Sequence, residues 1–430
     1  MWTTQLCVCL LFIASVSARV RDEPEYLEFA ERVLDLTLQI HSDPNLKAKW
    51  QEHVELYKEL DVPIPIFDCD VDEDDDHVPS NVHELKPKDI SVIAAFGDSI
   101  TAANGLGARN LIEVLFENRG ESWSVGGDES LEDGVVTLTN FLRKYNPEIK
   151  GYSRCQTTSD HHSGKGGFNV ARGGGTNRNM PGQADDLIER LKNDSRIDFE
   201  NDWKMVTLFV GGNDLCGSCN RWDRYDPVIY EKNIEEAMQK LYDNVPRVFV
   251  NLVAMFDVTP LRNLSVTVIC EIAQWGFCDC ARNESTIPQL RQTQLAYYEA
   301  LKNIAEGGKF EKDDFTIVLQ PFMRDMEPPK DSEGEYIPEF LSYDCFHPGR
   351  AAHQSFAYWL WENLLIPVGE KPYTMDNSLP EEPQYLSCPS QEHPYFFTNL
   401  NSDVEWKQTK KNELRDKMGP NIIAKDPRRG

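Results

Sequence analysis

The chain has 430 residues, of which 40% are hydrophobic, so it can bury a large core and is not a disordered polymer. Its formal charge of −27 at pH 7 excludes a general electrostatic attraction to nucleic acid or to anionic membranes. Nucleic acid is therefore not expected among its partners.

Residues 1–18 have the pattern of a secretory signal peptide. Leu6 to Ala14 form an apolar core, and Val16-Ser17-Ala18 supply the small residues of a cleavage site. No later apolar run is long enough to form a transmembrane segment. We therefore expect a secreted, extracellular protein.

Residues 19–80 are predicted to be a helical extension followed by an acidic linker. Phe29, Val33, Leu36 and Ile40 share one helical face, and a second apolar stripe follows the helix-start pattern at Ser42-Asp43-Pro44. The acidic run at 68–76 lacks the spacing and central glycine of a calcium-binding EF-hand loop, so a solvated linker is favoured.

Residues 81–368 are predicted to form the main domain, because apolar strand patterns alternate with helical ones. Such alternation predicts βαβ units and a parallel sheet covered by helices on both faces. Strands are predicted at 92–96, 166–171, 205–210, 248–255 and 315–320, and the longer helices at 138–145, 181–191, 230–242, 288–305 and 349–364.

Residues 369–430 are predicted to be a Pro-rich C-terminal extension that ends in a mildly basic tail. Cys388 suggests that part of this extension is attached to the main domain by a disulfide. Contact with lipid is an alternative for Trp123 and Trp275, but buried packing is favoured for a single tryptophan. Three Asn-X-Ser sequons predict glycosylated surface loops, at Asn193, Asn263 and Asn283.

The cysteines predict disulfides and no metal site. Two of the 11 cysteines, Cys7 and Cys9, lie in the signal peptide, and the odd number that remains implies at least one unpaired or intermolecular thiol. Cys216-Gly-Ser-Cys219 resembles half of a zinc site, but a second such pair is missing. We expect neither a metal nor a cofactor, and the pairing cannot be read from the sequence.

Polar or glycine-rich turns follow three predicted strands, at Ser99, Gly174 and Asn213. The carboxyl ends of parallel strands meet at one sheet edge, where ligands bind. Asp344-Cys345-Phe346-His347, just before the last helix, supplies a base for a serine nucleophile and a carboxylate to orient that base. The candidate catalytic residues are Ser99, His347 and Asp344. The candidate oxyanion donors are the amides of Ser99 and Gly174 and the side chain of Asn213.

These four stretches resemble the conserved blocks of the GDSL/SGNH hydrolase superfamily and occur in that family's order. The blocks are Gly97-Asp98-Ser99, Asn169 to Gly174, Gly211 to Asp214 and Asp344 to His347. The resemblance implies an α/β fold, a three-layer α/β/α sandwich with a parallel flavodoxin-like sheet. Gly173 remains an alternative to Gly174 as the glycine donor, because three glycines adjoin.

Further stretches resemble the phospholipase B branch of this superfamily, at 82–87, 119–128 and 142–147. The resemblance covers roughly residues 62–402 and implies a soluble, single-unit relative of the membrane-anchored members. It implies a serine ester hydrolase that removes acyl chains from phospholipids and lysophospholipids at a micelle or membrane surface. The alternatives are a general carboxylesterase or lipase, and a catalytically silent lipid-binding protein on the same fold.

Overall fold

A computed structural model describes residues 24–57, 60, 62–71, 76–157, 164–264, 266–376 and 379–402 of the chain. The predicted signal peptide and the basic tail after residue 402 lie outside the described residues, as do the central residues of the acidic run, 72–75.

A parallel four-stranded sheet forms the centre of the molecule, with its strands in the spatial order β1-β2-β3-β4. All four are almost wholly buried, which explains their mainly apolar sequences. The strands are β1 (Ile90–Gly97), β2 (Trp203–Phe209), β3 (Val248–Val253) and β4 (Phe315–Gln320).

The strand predicted at 166–171 is wrong as a regular strand. Only Asn169 forms a parallel bridge with β1, opposite Ala95. The carbonyls of Asn169 and Ala171 accept hydrogen bonds from the Arg119 guanidinium, which takes the place of a partner strand. The segment still lies along the outer edge of β1, so the order of extended segments corresponds to the flavodoxin-like order 2-1-3-4-5.

Twelve α-helices surround the sheet in the described part of the chain, and the long ones agree with the predicted helices to within a few residues. They are α1 (Pro24–Ser42), α2 (Pro44–Leu56), α3 (Ser99–Ala102), α4 (Leu138–Leu142), α5 (Met180–Asn193), α6 (Gly212–Ser218), α7 (Trp222–Tyr225), α8 (Pro227–Asn244), α9 (Val268–Phe277), α10 (Asp279–Arg282), α11 (Ile287–Glu306) and α12 (Arg350–Leu364). Short 3-10 helices lie at Val82–Glu84, Pro87–Asp89, Ile112–Leu115, Arg119–Glu121, Asn177–Asn179, Thr259–Leu264 and Pro338–Phe340.

The helices form two layers around the sheet, which confirms the predicted α/β fold. Helices α5, α8 and α11 pack side by side, and the rings of Tyr230 and Tyr297 stack between α8 and α11 with centroids 4.0 Å apart. Helices α4 and α12 pack together, with the Phe141 and Trp361 rings 6.0 Å apart. This α/β/α arrangement leaves the carboxyl ends of the strands open.

Four disulfides confirm the expectation that most of the cysteines pair. Both cysteines of the Cys216–Cys219 motif are used in this way, so they are not zinc ligands. Within the described residues Cys155 is the unpaired cysteine, and no helix there is long and apolar enough to cross a bilayer. The pairs are Cys69–Cys388, Cys216–Cys278, Cys219–Cys280 and Cys270–Cys345.

Candidate active site

Ser99 lies where β1 turns sharply into α3. Gly97 precedes the turn at φ +151°, and a Cβ on it would lie 2.2 Å from the Phe209 carbonyl oxygen of β2, so only glycine fits. The Asp98 carboxylate caps α3 by accepting the Ile100 N–H at 3.0 Å. The apolar strand therefore delivers a serine, 3% exposed, to the carboxyl edge of the sheet.

His347 and Asp344 complete a hydrogen-bonded line that begins at Ser99. The Ser99 Oγ lies 2.9 Å from His347 Nε2, and His347 Nδ1 lies 2.5 Å from Asp344 Oδ2. The other carboxylate oxygen of Asp344 accepts the backbone N–H groups of Phe346 and His347 at 3.1 and 3.0 Å. The structure thus brings together the three residues that the sequence motifs nominate, although 248 residues separate the serine from the histidine.

Covalent and polar contacts fix the loop that carries His347. Cys345 lies at φ +54° and forms a disulfide with Cys270 of α9. The Ser342 N–H donates to the His347 carbonyl at 2.8 Å, so the chain turns back on itself around the histidine. From α2, the His53 ring contacts the carbonyl oxygen of Tyr343 at 2.7 Å. These contacts limit the positions that the imidazole can take.

The two buried aspartates of the site have opposite pKa shifts. Burial alone would raise the pKa of Asp344, but the His347 charge and the hydrogen bonds from His347 and Phe346 outweigh burial and lower it. Burial dominates at Asp98 and raises its pKa to about 7, although the capping bond from Ile100 opposes the shift. Asp344 is therefore held as a carboxylate at neutral pH, as a partner of an imidazole must be.

Asn213 and Gly174 lie on the other side of Ser99. Asn213 is in the first turn of α6, directly after β2, and its Nδ2 donates to the Gly175 carbonyl at 2.9 Å. An amide nitrogen has two N–H donors, so this bond orients Asn213 and leaves one for a ligand. Gly174 has φ +74° and lines the same cleft as Asn213, whereas the Gly173 N–H donates to buried Glu117. Gly174 is thus the better-placed of the two candidate glycines.

Sequence reasoning missed the residues that hold this glycine turn. Arg119 is fully buried and donates to the Glu117 carboxylate at 2.8 Å and to the Asn169 carbonyl at 2.9 Å. The pair therefore fixes the segment leading to Gly174 from two sides. Arg119 belongs to a stretch that resembles phospholipase B, but no local pattern indicates that its side chain reaches 52 residues along the chain to Ala171.

Two cavities lie at the candidate site. The smaller one, of about 330 Å³ with its opening to solvent included, contains Ser99 and His347, and its other walls are mainly apolar, formed by residues such as Met255, Phe256 and Leu261. The larger one is a cleft of about 890 Å³ that includes its opening to solvent and contains Gly174. Asn213 and Phe346 line both cavities.

Helix α1 forms part of the larger cleft, which the sequence did not predict. Phe29 lines the cleft, and its ring lies edge-on to the His347 ring with centroids 5.4 Å apart. The expectation that Trp275 is buried is wrong: half of its surface is exposed, because it lies at the rim of this cleft, whereas Trp123 is buried in the core. The apolar stripe of α1 predicts that the helix packs on the main domain. It does not predict that the helix lies beside the active site.

The described residues contain two groups with the ligand types of a metal site, and neither fits one. One group is His53 with Cys270 and Cys345, and the other is Asp279 with Cys219 and Cys280. The cysteines of each group are in disulfides, so they offer no thiolate to an ion.

Comparisons with known proteins identify the family to which the chain belongs. A family model described as GDSL-like Lipase/Acylhydrolase matches residues 93–360. The chain is 39% identical over 348 residues to "Phospholipase B1, membrane-associated" of Rattus norvegicus and 40% identical over 346 residues to the Homo sapiens protein of that name. The alignments cover 79% and 78% of this chain but 24% and 23% of the relatives, so the chain spans about a quarter of their length. The chain therefore belongs to the GDSL-like lipase/acylhydrolase family and is similar in sequence to phospholipase B1.

Proposed function

We propose that this protein removes acyl chains from phospholipids and lysophospholipids through a covalent acyl-enzyme on Ser99. The observation that carries the proposal is the hydrogen-bonded line from Ser99 through His347 to Asp344, next to a cleft that contains Gly174 and Asn213. A nucleophile, a base, an orienting carboxylate and oxyanion donors are the parts that acyl transfer needs.

The chemical steps follow from this arrangement. His347 Nε2 takes the Ser99 hydroxyl proton as Oγ attacks the ester carbonyl carbon, and Asp344 stabilises the imidazolium. The amides of Ser99 and Gly174 and the Asn213 side chain donate to the oxyanion. His347 then protonates the leaving alcohol as the ester C–O bond breaks. A water molecule repeats the sequence on the acyl-enzyme, which releases the fatty acid and restores the serine.

The substrate class is inferred from the small apolar cavity and from the relatives. The cavity beside Ser99 has apolar walls such as Met255 and Leu261, which suit the part of an acyl chain next to the ester, at about 0.8 kcal/mol for each buried CH₂ group. The relatives are named phospholipase B1. We infer that both chains of a diacyl phospholipid are removed in sequence, with lysophospholipid as intermediate and substrate. A micelle or membrane surface would present these lipids.

The test compares wild type with Ser99→Ala on phosphatidylcholine, lysophosphatidylcholine, triglyceride and a short acetyl ester, with Ser130→Ala as control. We expect wild type and Ser130→Ala to hydrolyse both phospholipids, and Ser99→Ala to lose several orders of magnitude in kcat. Hydrolysis of the acetyl ester alone would establish a general carboxylesterase in place of a phospholipase. Lipid binding by wild type without any hydrolysis would establish a lipid-binding protein.

Asn213→Ala tests the oxyanion donor separately. Loss of one such donor lowers kcat by about 10²–10³, with little change in KM, because the bond strengthens mainly in the transition state. A variant with near-normal kcat would show that Asn213 only caps its turn.

We also infer that the protein is secreted and glycosylated. Four disulfides are typical of an oxidising compartment. The three sequon asparagines, Asn193, Asn263 and Asn283, are all exposed. Expression in animal cells should release protein into the medium whose mass falls on treatment with an N-glycosidase. Retention inside the cells, or an unchanged mass, would contradict this inference.

A further inference from the structure

The larger cleft beside the candidate active site has balanced charge. Two of its lining residues are cationic, Arg32 of α1 and Arg221 before α7, and two are anionic, Glu28 of α1 and Asp279 of α10. The Glu28 carboxylate lies 2.7 Å from Arg32 Nη2 and 3.0 Å from Arg221 Nη2, so one carboxylate is shared by two guanidinium groups. On a chain of net charge −27, the charges of these four residues sum to zero, so the cleft is less negative than the chain as a whole.

The shared carboxylate leaves the arginines able to take a further anion. A guanidinium carries several N–H donors in a planar fork. A carboxylate that is shared between two guanidinium groups cannot accept from all of these donors. Arg32 and Arg221 are each about two-fifths exposed at the side chain, so a ligand in the cleft can reach them. A phosphodiester oxygen pair matches such a fork.

Aromatic side chains and a carboxylate line the other parts of the same cleft. Trp275 is 50% exposed and lines the cleft together with Phe346. Asp279 accepts a hydrogen bond from Asn220 Nδ2 at 2.7 Å and adds negative charge at this wall. An exposed indole face with a nearby carboxylate is the environment that recognises a quaternary ammonium group.

The cleft is also on the correct side of the reacting bond. An acyl chain in the small apolar cavity places its carbonyl near Asn213, which lines both cavities, and directs the alcohol part of the ester into the larger cleft. The α1 wall of this cleft is built into the fold. Val33 and Leu36 of α1 are buried in a cluster with residues of 108–115 and of α9.

We propose that the larger cleft is a subsite for a zwitterionic phosphocholine head group, in which Arg32 and Arg221 bind the phosphate and Trp275 and Asp279 contact the quaternary ammonium. This assignment rests on the proposed phospholipid hydrolysis and adds residues of α1, which lies outside the part of the chain matched by the family model. The head group then selects the substrate, while the apolar cavity holds the chain that is cleaved.

The experiment compares lysophosphatidylcholine with the monoacylglycerol of the same acyl chain, which lacks the phosphocholine. For Arg221→Gln, the ratio of kcat/KM for the lysophospholipid to kcat/KM for the monoacylglycerol should fall about tenfold or more, the scale of one charge-assisted hydrogen bond. Arg196→Gln is the matched control, because it also removes an exposed arginine that is paired with a carboxylate, here that of Asp194, but lies away from the cleft. An unchanged ratio in Arg221→Gln would overturn the subsite.

A second variant tests the charge balance without removing an arginine. Glu28→Gln leaves two cations facing one anion, so the preference should move from lysophosphatidylcholine towards lysophosphatidic acid, which carries phosphate without the ammonium group. No shift in that preference would overturn the assignment. If wild type hydrolyses the monoacylglycerol but no lysophospholipid, the proposed function itself fails. Unchanged ratios in an enzyme that does cleave lysophosphatidylcholine would refute only the subsite.

Discussion

Asp344→Asn is the variant that tests most closely how the buried line of groups works. In wild type, one carboxylate oxygen accepts two backbone N–H groups at 3.0 and 3.1 Å, and the other faces His347 Nδ1 at 2.5 Å. The side-chain oxygen of an asparagine can still accept hydrogen bonds from the two backbone N–H groups. Its NH₂ then faces Nδ1, and two donors cannot share that contact.

The imidazole must respond by moving its proton from Nδ1 to Nε2. That nitrogen lies 2.9 Å from the Ser99 Oγ, so the serine would face a donor where it needs a base. The corresponding change in other serine hydrolases lowers kcat by about 10⁴, which corresponds to about 5.5 kcal/mol of transition-state stabilisation. Loss of the charge-assisted bond should reduce the free energy of unfolding by about 1.5–3 kcal/mol, which leaves the protein folded.

The assay measures kcat with a short ester and stability by urea unfolding, with Asp89→Asn as the control. Asp89 accepts the Lys86 N–H at 2.8 Å before β1 begins, so it lies at the opposite end of that strand from Ser99. The control should keep wild-type kcat. If Asp344→Asn keeps kcat within about tenfold of wild type while folded, the tautomer argument is refuted.

Two further predictions concern stability. Replacing both Cys270 and Cys345 by alanine should lower the free energy of unfolding by about 2–4 kcal/mol. It should also lower kcat, because the disulfide anchors the His347 loop. Replacing both Cys69 and Cys388 should lower the free energy of unfolding but leave kcat unchanged. If both double replacements change kcat equally, the Cys270–Cys345 disulfide has no special role in anchoring the His347 loop. Burial lowers the pKa of His53 to about 4, below the unfolded value of about 6.5. As pH falls through this window the unfolded chain binds the proton first, so stability is lost. His53→Gln should lose less stability than wild type between pH 6.5 and 4 in urea titrations.

Much of the fold could be predicted from the sequence because its signals are local. Helix α5 has a proline in its first turn and a buried stripe that includes Ala184 and Leu187, and such a pattern is visible in a short window. The four strands of the sheet are mainly apolar, as expected for parallel strands that are covered on both faces. The grouping of Ser99 with Asn213 rested on the rule that parallel strands deliver their carboxyl ends to one edge, and His347 joined them as the base that a serine nucleophile needs.

The features that the sequence did not predict depend on distant contacts. The strand predicted at 166–171 failed because Arg119 occupies its outward carbonyls, and a side chain from a distant loop leaves no local pattern. Helix α9 is an exception, because Ile269, Ala273 and Phe277 repeat on one helical face and so form a local helical pattern. The four cysteine pairings and the position of Phe29 beside His347 arise only when separate elements dock.

Covalent trapping of Ser99 is the most direct test of the central claim. Wild-type protein treated with an alkyl fluorophosphonate should gain one adduct, and peptide mass spectrometry should place it on Ser99 with loss of activity. Ser99→Ala should gain none, and Ser130→Ala should react like wild type. An adduct on another residue, or equal labelling of folded Ser99→Ala, would contradict a nucleophilic role for Ser99.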